Sequence, residues 1–220
     1  MRFLVLTLLL VISLDCFSQS YESYRIGNPE SLDVTPTFGV CLMGGGAEND
    51  NAMQWFLNLA NGGDVLVLRT SGSDAYNPYF YNQLGVTLNS VETLVITSSQ
   101  ASQEDYVINR INQAEAIWFA GGDQSDYINF FKSNAINVAL NHHINIKQAA
   151  IGGTSAGMAI LSDYYFSATN GTVTSSEALF NPFHPNISLG ESDFLNVPLL
   201  EETITDTHFD NPDRKGRLSV

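Results

Sequence analysis

Cysteine and positive charge are what this sequence has least of. Only Cys16 and Cys41 occur in 220 residues. Cys16 lies in a leader read below as removable, so the rest of the chain has no pair from which to form an internal disulfide. Stability then has to come from a packed core, and 44% hydrophobic residues over this length suit one sizeable domain. Cys41 sits inside the apolar run 38–43 and reads as a small buried hydrophobe, not a nucleophile. Nine Lys and Arg stand against 23 Asp and Glu, a formal net charge of -14, which argues against nucleic acid and anionic membranes as partners. Beyond the leader no apolar run is long enough to span a bilayer. Gly44 to Gly46 form a glycine run without the Gly-x-Gly-x-x-Gly spacing or the lysine of a phosphate-binding loop, so no nucleotide or other cofactor is assigned. His208, Asp210 and Asp213 match no familiar ligand spacing, so no metal is assigned either.

Residues 1–18 have the pattern of a secretory signal peptide: Arg2, an apolar block over 3–14, and the small residues Cys16 and Ser18 ahead of Gln19. Cleavage after Ser18 implies an exported protein, periplasmic or extracellular. Asp15, where a small residue would precede a lipid-modified cysteine, disfavours an anchor on Cys16. Residues 19–36 read as a polar leader and 37–220 as the domain. Three of the nine cations fall together as Arg214, Lys215 and Arg217. Such a knot in an acidic chain fits either a bound anionic group or a solvated helix start.

Within the domain, apolar runs at 38–43, 64–69, 91–97 and 116–120 alternate with helical patterns at 48–60, about 77–84, 104–113 and 134–147. This alternation predicts an α/β fold with a mainly parallel sheet, helices on both faces and right-handed crossovers. Ligands then collect beyond the carboxyl ends of the strands. His142 and His143, near the end of the 134–147 helix, fall on the opposite rim. Residues 163–198 are rich in turn formers and contain Asn170-Gly171, which predicts a hairpin on the active rim.

The segment 149–161 organises the chain: an apolar run meets glycines, presents Ser155 in Gly153-Thr154-Ser155-Ala156-Gly157, and continues as a helix. A serine on so sharp a strand-to-helix turn tolerates only small neighbours two positions away, which Gly153 and Gly157 supply. Ser155 is the candidate nucleophile, and the Ala156 N–H at the helix start is a candidate oxyanion donor. A tightly packed or phosphate-binding glycine turn is the alternative. Gly121 and Gly122 end the 116–120 strand and offer a second oxyanion donor, assigned to Gly122. Gln124 either orients a substrate amide or caps the next helix. His208, at the end of the strand-like run 202–206, is the candidate base, preferred over His184 in a proline-flanked loop.

Three segments together resemble the cyanophycinase family of serine peptidases, relatives of aspartyl dipeptidase. They are Ala120-Gly121-Gly122-Asp123-Gln124, then Gly152-Gly153-Thr154-Ser155-Ala156-Gly157, then Asp206-Thr207-His208-Phe209 with Arg214, Gly216, Arg217 and Leu218. The resemblance implies a glutamine-amidotransferase-like (flavodoxin-like) three-layer sandwich. It implies Ser155 as nucleophile and His208 as base, with Gln124, Asp206, Arg214 and Arg217 around a peptide substrate. That substrate would carry β-aspartyl linkages as in cyanophycin, a polyaspartate bearing arginine. Pro212 stands where the family carries a further arginine, which weakens cyanophycin as the specific substrate. The family's triad glutamate follows the histidine region, so the acid here is either Glu177, Asp206 or Asp210, or lies beyond Val220 in a longer chain. A homodimer is compatible with the resemblance. The rival readings are an esterase sharing the elbow, although no His-Gly-Gly oxyanion loop is present, and a non-catalytic binding protein on the same scaffold.

Overall fold

The computed structural model describes residues 19–220; the signal-peptide reading and Cys16 lie outside the described residues. In chain order the elements are β1 (Tyr21–Gly27), β2 (Val40–Met43), α1 (Asp50–Asn58), β3 (Asp64–Arg69) and α2 (Tyr76–Pro78), which runs into a π-helical turn at Tyr79–Gln83. There follow β4 (Ser90–Ile96), a 3-10 turn at Ser99–Gln103, α3 (Asp105–Gln113), β5 (Ala116–Phe119), α4 (Gln124–Phe131) and α5 (Ala135–Asn145). The chain then forms β6 (Ala150–Thr154), α6 (Ala156–Ala159), β7 (Tyr164–Phe166), α7 (Ser175–Phe180), β8 (Leu189–Glu191), β9 (Ile204–Thr205) and a last 3-10 turn at Lys215–Leu218. The six-stranded sheet has the order β1-β4-β3-β5-β6-β2. All its pairings are parallel except β1 with β4. The protein is thus an α/β sandwich, and no helix among the described residues is long and apolar enough to cross a membrane.

The central strands are apolar on both faces because both faces are covered. Leu66, Leu68, Ile117 and Phe119 pack into one core with residues of α3, α4 and α5. Val65, Val67, Ala116 and Trp118 face the other way, against Met53, Phe56, Leu57 and Phe80. Trp118 and Phe119, successive and fully buried, anchor one core each.

Two elements differ from the sequence reading. The stretch expected as a polar leader contains β1, an antiparallel edge strand in register Tyr21↔Ile96 to Gly27↔Ser90. Hydrophobic periodicity cannot reveal it, because polar bonds hold it down. Glu92, fully buried on β4, accepts from Ser23 Oγ at 2.8 Å and Tyr106 Oη at 2.8 Å, and pairs with Arg110 Nε at 2.7 Å. The hairpin expected at Asn170-Gly171 does not form. Gly171, at φ +106°, only closes a turn onto the Ala168 carbonyl, and the chain goes on to α7. The antiparallel partner of β7 is instead β8, in a small sheet of order β8-β7-β9.

This small sheet positions the histidine. β9 pairs in parallel with β7, and Thr205 Oγ1 donates to the Met158 carbonyl of α6 at 3.0 Å. Three residues later the chain reaches His208, beside the end of β2. At the opposite rim, His143 is sealed in the core with Nε2 3.0 Å from the Ala150 carbonyl at the start of β6.

Burial pushes the His143 pKa down from 6.5 to about 4, so the fold requires the neutral ring. The unfolded chain takes up the proton first. The stabilisation from this group is complete above pH 6.5 and is lost as the pH falls toward 4, with a limiting slope of about 1.4 kcal/mol per pH unit. Urea unfolding at a series of pH values should show a shallower slope across this window for His143→Gln than for the parent chain. Equal slopes would contradict the buried neutral imidazole.

Candidate active site

Ser155 occupies the turn between β6 and α6 with φ +52° and ψ -125°, a conformation unfavourable for any residue with a Cβ. Close backbone packing holds it there. A Cβ on Gly153 would lie 2.4 Å from the Gly157 carbonyl oxygen, and one on Gly157 would lie 2.3 Å from that of Phe119. The Ser155 N–H also donates to the Met43 carbonyl at 3.1 Å, tying the elbow to β2.

Ser155 Oγ and His208 Nε2 lie 2.8 Å apart. His208 Nδ1 is 3.0 Å from the Asn211 carbonyl, which favours the tautomer with the proton on Nδ1 and leaves Nε2 free to accept from the serine. The His208 N–H donates to the Gly44 carbonyl at 3.0 Å, and the ring lies over Gly45. His184 is elsewhere, its Nδ1 accepting from the Asn186 N–H.

The cleft at Ser155, with a volume of 530 Å³, is bounded by Arg69, Tyr76, Tyr79, Gly121, Thr154 and His208. Arg69 bonds the Ser71 and Ser73 carbonyls and braces the loop after β3. The Tyr76 hydroxyl donates to Glu48, and that of Tyr79 to Asp50 at 2.7 Å. Burial is the main cause that raises both phenol pKa values, and the carboxylate partners raise them further. Sequence reasoning missed these residues because tyrosines in a helical segment and a glutamate just ahead of α1 carry no motif. Thr154 Oγ1 is buried without a partner.

Of the proposed oxyanion donors, Ala156 is the first residue of α6, whose initial N–H groups have no intrahelical acceptor. The glycine against the serine is Gly121: a Cβ there would lie 3.4 Å from Ser155 Cβ. Gly122 lies against Thr70 and Ser71 and lines a neighbouring 360 Å³ cavity with Asp123, Gln124, Thr172 and Arg214.

The four residues assigned to substrate separate into two kinds. Asp206 and Arg217 bond each other through two contacts, both side chains buried, with the guanidinium 3.9 Å over the Phe166 ring and Nη1 bonding Thr172. Each charge is neutralised by the other, a pairing that the expectation of both side chains around a substrate did not include. Gln124 is likewise engaged: Nε2 donates to the Phe166 carbonyl at 3.1 Å, while helix capping falls to Asp123. Arg214 is different. It is half-buried and makes no ion pair among the described residues. Burial and the adjacent Arg217 lower its pKa, which marks a cation short of counter-charge. Its N–H donates to the His208 carbonyl at 3.2 Å, so the free cation and the imidazole share one loop.

None of the carboxylates considered for the triad bonds the His208 ring, whose hydrogen-bond partners among the described residues are Ser155 and the Asn211 carbonyl. Glu177 caps α7 with Thr174, Asp206 holds Arg217, and none of the ion pairs among the described residues includes His208. No cluster of three His, Cys, Asp or Glu suited to a metal occurs among the described residues.

Arg217→Leu would leave Asp206 charged, buried and alone, and should lower unfolding stability by about 3–5 kcal/mol. Adding Asp206→Leu should recover much of the loss. An unchanged urea midpoint in Arg217→Leu would return the arginine to the substrate.

No family model matches the chain. In sequence it is 27% identical over 138 residues to the cyanophycinases of Synechococcus elongatus and Thermosynechococcus vestitus, a match covering 63% of this chain and 39% of each relative. The match spans about two fifths of those relatives. In fold it resembles a peptidase from an acI-B1 Actinobacterium, with a TM-score of 0.56, 13% identity, and coverage of 80% of this chain and 70% of the other. It also resembles a putative peptidase E protein from Listeria monocytogenes, with a TM-score of 0.51, 16% identity, and coverage of 83% and 87%. The chain is a sequence relative of the cyanophycinases, built on a fold shared with solved peptidases.

Proposed function

We propose that this chain is a serine-type peptidase of the cyanophycinase kind, acting on β-aspartyl-arginine or related peptide bonds. The observation that carries the reading is the 2.8 Å contact between the strained Ser155 hydroxyl and His208 Nε2 at the mouth of an open cleft. Nε2 takes the hydroxyl proton as Oγ attacks the carbonyl carbon, and the oxygen gains charge beside the Ala156 N–H and the Gly121-Gly122 turn. The imidazolium then gives its proton to the leaving amine as the C–N bond breaks. Water, deprotonated by the same nitrogen, attacks the acyl-serine and releases the acid.

Arg214 supports an acidic substrate. A cation of lowered pKa, unpaired among the described residues and on the same loop as His208, favours a free carboxylate of an aspartyl residue. With Asp206 bound to Arg217, the acidic group that lines the cleft at the serine and could meet a basic side chain is Glu48, which accepts from the Tyr76 hydroxyl. The leader pattern of residues 1–18 supports export of the enzyme.

The decisive assay sets a β-aspartyl-arginine dipeptide against a p-nitrophenyl ester. The dipeptide should be hydrolysed, and Ser155→Ala should lower the rate at least about a thousandfold. Hydrolysis of the ester alone would favour an esterase. Arg214→Lys should raise KM about tenfold with a smaller change in kcat, because the ammonium cannot reproduce the two-pronged contact. An unchanged KM would remove Arg214 from the substrate.

A further inference from the structure

The cleft at Ser155 is lined by one arginine and one glutamate, Arg69 and Glu48, and neither enters an ion pair among the described residues. They do not pair with each other, although both charges reach the Tyr76 hydroxyl: burial and Glu48 raise its pKa, while Trp118 and Arg69 lower it. Elsewhere in the protein opposite charges close on one another, as Asp206 and Arg217 do. Here each is held by neutral partners of its own.

Arg69, the last residue of β3, is turned onto the loop that follows. Nε and Nη1 donate to the Ser71 and Ser73 carbonyls, the second at 2.6 Å. The guanidinium lies on the bare backbone of Gly72, where a Cβ would come within 2.3 Å of Nη2. Carbonyls orient this cation without neutralising it. Glu48 precedes Asn49, the cap of α1, and its Oε1 accepts from Tyr76 Oη. The Tyr76 ring packs on Phe80 and Trp118 with centroids 5.1 and 6.2 Å away, and Tyr79 stands beside it at 6.4 Å, tilted by 54°. A carboxylate beside two phenol rings suits a planar cation, which can pair with the one and stack on the other.

We propose that Glu48, Tyr76, Tyr79 and Arg69 form one subsite for a substrate residue that carries both a guanidinium and a free carboxylate, an arginine whose own carboxyl group is unblocked. Glu48 and the tyrosine rings take the guanidinium, and Arg69 takes the carboxylate. Both protein charges are oriented before the ligand arrives, so binding has little ordering cost to overcome. A residue with only one of the two groups would leave the opposite protein charge covered and unmatched. Arg214, in the neighbouring cavity, remains for the aspartyl carboxylate. The Gly121-Gly122 turn, with one glycine lining each cavity, divides the two halves of the substrate.

The inference deepens the peptidase reading and rests on it for calling the ligand a substrate, but its test needs no turnover. L-Arginine, agmatine and citrulline are titrated separately into the parent chain and binding is followed by NMR; agmatine lacks the carboxylate and citrulline lacks the charge. L-Arginine should bind at least about tenfold more tightly than either analogue. Glu48→Gln should bring arginine down to the level of citrulline, and Arg69→Met should bring it down to the level of agmatine. Absence of arginine binding, equal affinities for the three ligands, or an undiminished preference in either variant would overturn the proposal. If a variant does not fold, the three-ligand comparison decides, read on the ring signals of Tyr76 and Tyr79 in the parent chain. Arginine binding without hydrolysis of a β-aspartyl-arginine dipeptide would count against the peptidase reading and leave the subsite standing. Hydrolysis without a preference for arginine would remove the subsite alone.

Discussion

The constraint on which the structure turns is the backbone of Ser155, held at φ +52° between a buried strand and a four-residue helix. A non-glycine residue there stores about 1–3 kcal/mol of strain, which the surrounding fold has to outweigh. It does so by close approach of main chains. β6 passes so near α6 and β5 that Gly153 and Gly157 have no room for a Cβ, and Gly152 is pressed between the Cys41 carbonyl and the Trp118 ring. The two cores on either side of the sheet clamp β5 and β6, and the clamp lifts the hydroxyl onto the rim.

The second partner arrives by a different route. His208 does not come from the large sheet but from the end of the small one, in which β9 is tethered to α6 through Thr205. Ser155 and His208 thus belong to different layers and meet where the 208–214 loop docks on Gly44 and Gly45. The basic knot divides accordingly. Arg217 turns inward to neutralise Asp206 and lock the last turn under Phe166, while Arg214 stays at the cavity without a counter-ion among the described residues. One arginine stabilises the site and the other leaves a charge available to a ligand.

Much of the central sheet was legible in the sequence, because strands buried on both faces are written as unbroken apolar runs separated by helix signals. Asp64–Arg69 and Ala116–Phe119 are clear examples. β1 was not legible, since its attachment depends on a buried carboxylate, an arginine and hydroxyls that periodicity counts as polar. The Asn170-Gly171 signal was local and true as a turn, but strand pairing was decided by the distant β8. In the site, the juxtaposition of Ser155 and His208 could be read because the strand-to-helix glycine turn and the strand-end histidine both mark the same rim of the sheet. The pairing of Asp206 with Arg217 could not, because whether opposite charges face a ligand or each other is a matter of three-dimensional distance. The Asn211 carbonyl had no signal at all, as any residue could supply it.

The most direct test of the account is mass spectrometry of the intact chain, quenched in acid during turnover of an activated β-aspartyl ester. The account requires an aspartyl adduct carried by Ser155, formed in the parent chain and absent from His208→Ala. Turnover without any covalent adduct, or an adduct on another residue, would contradict it.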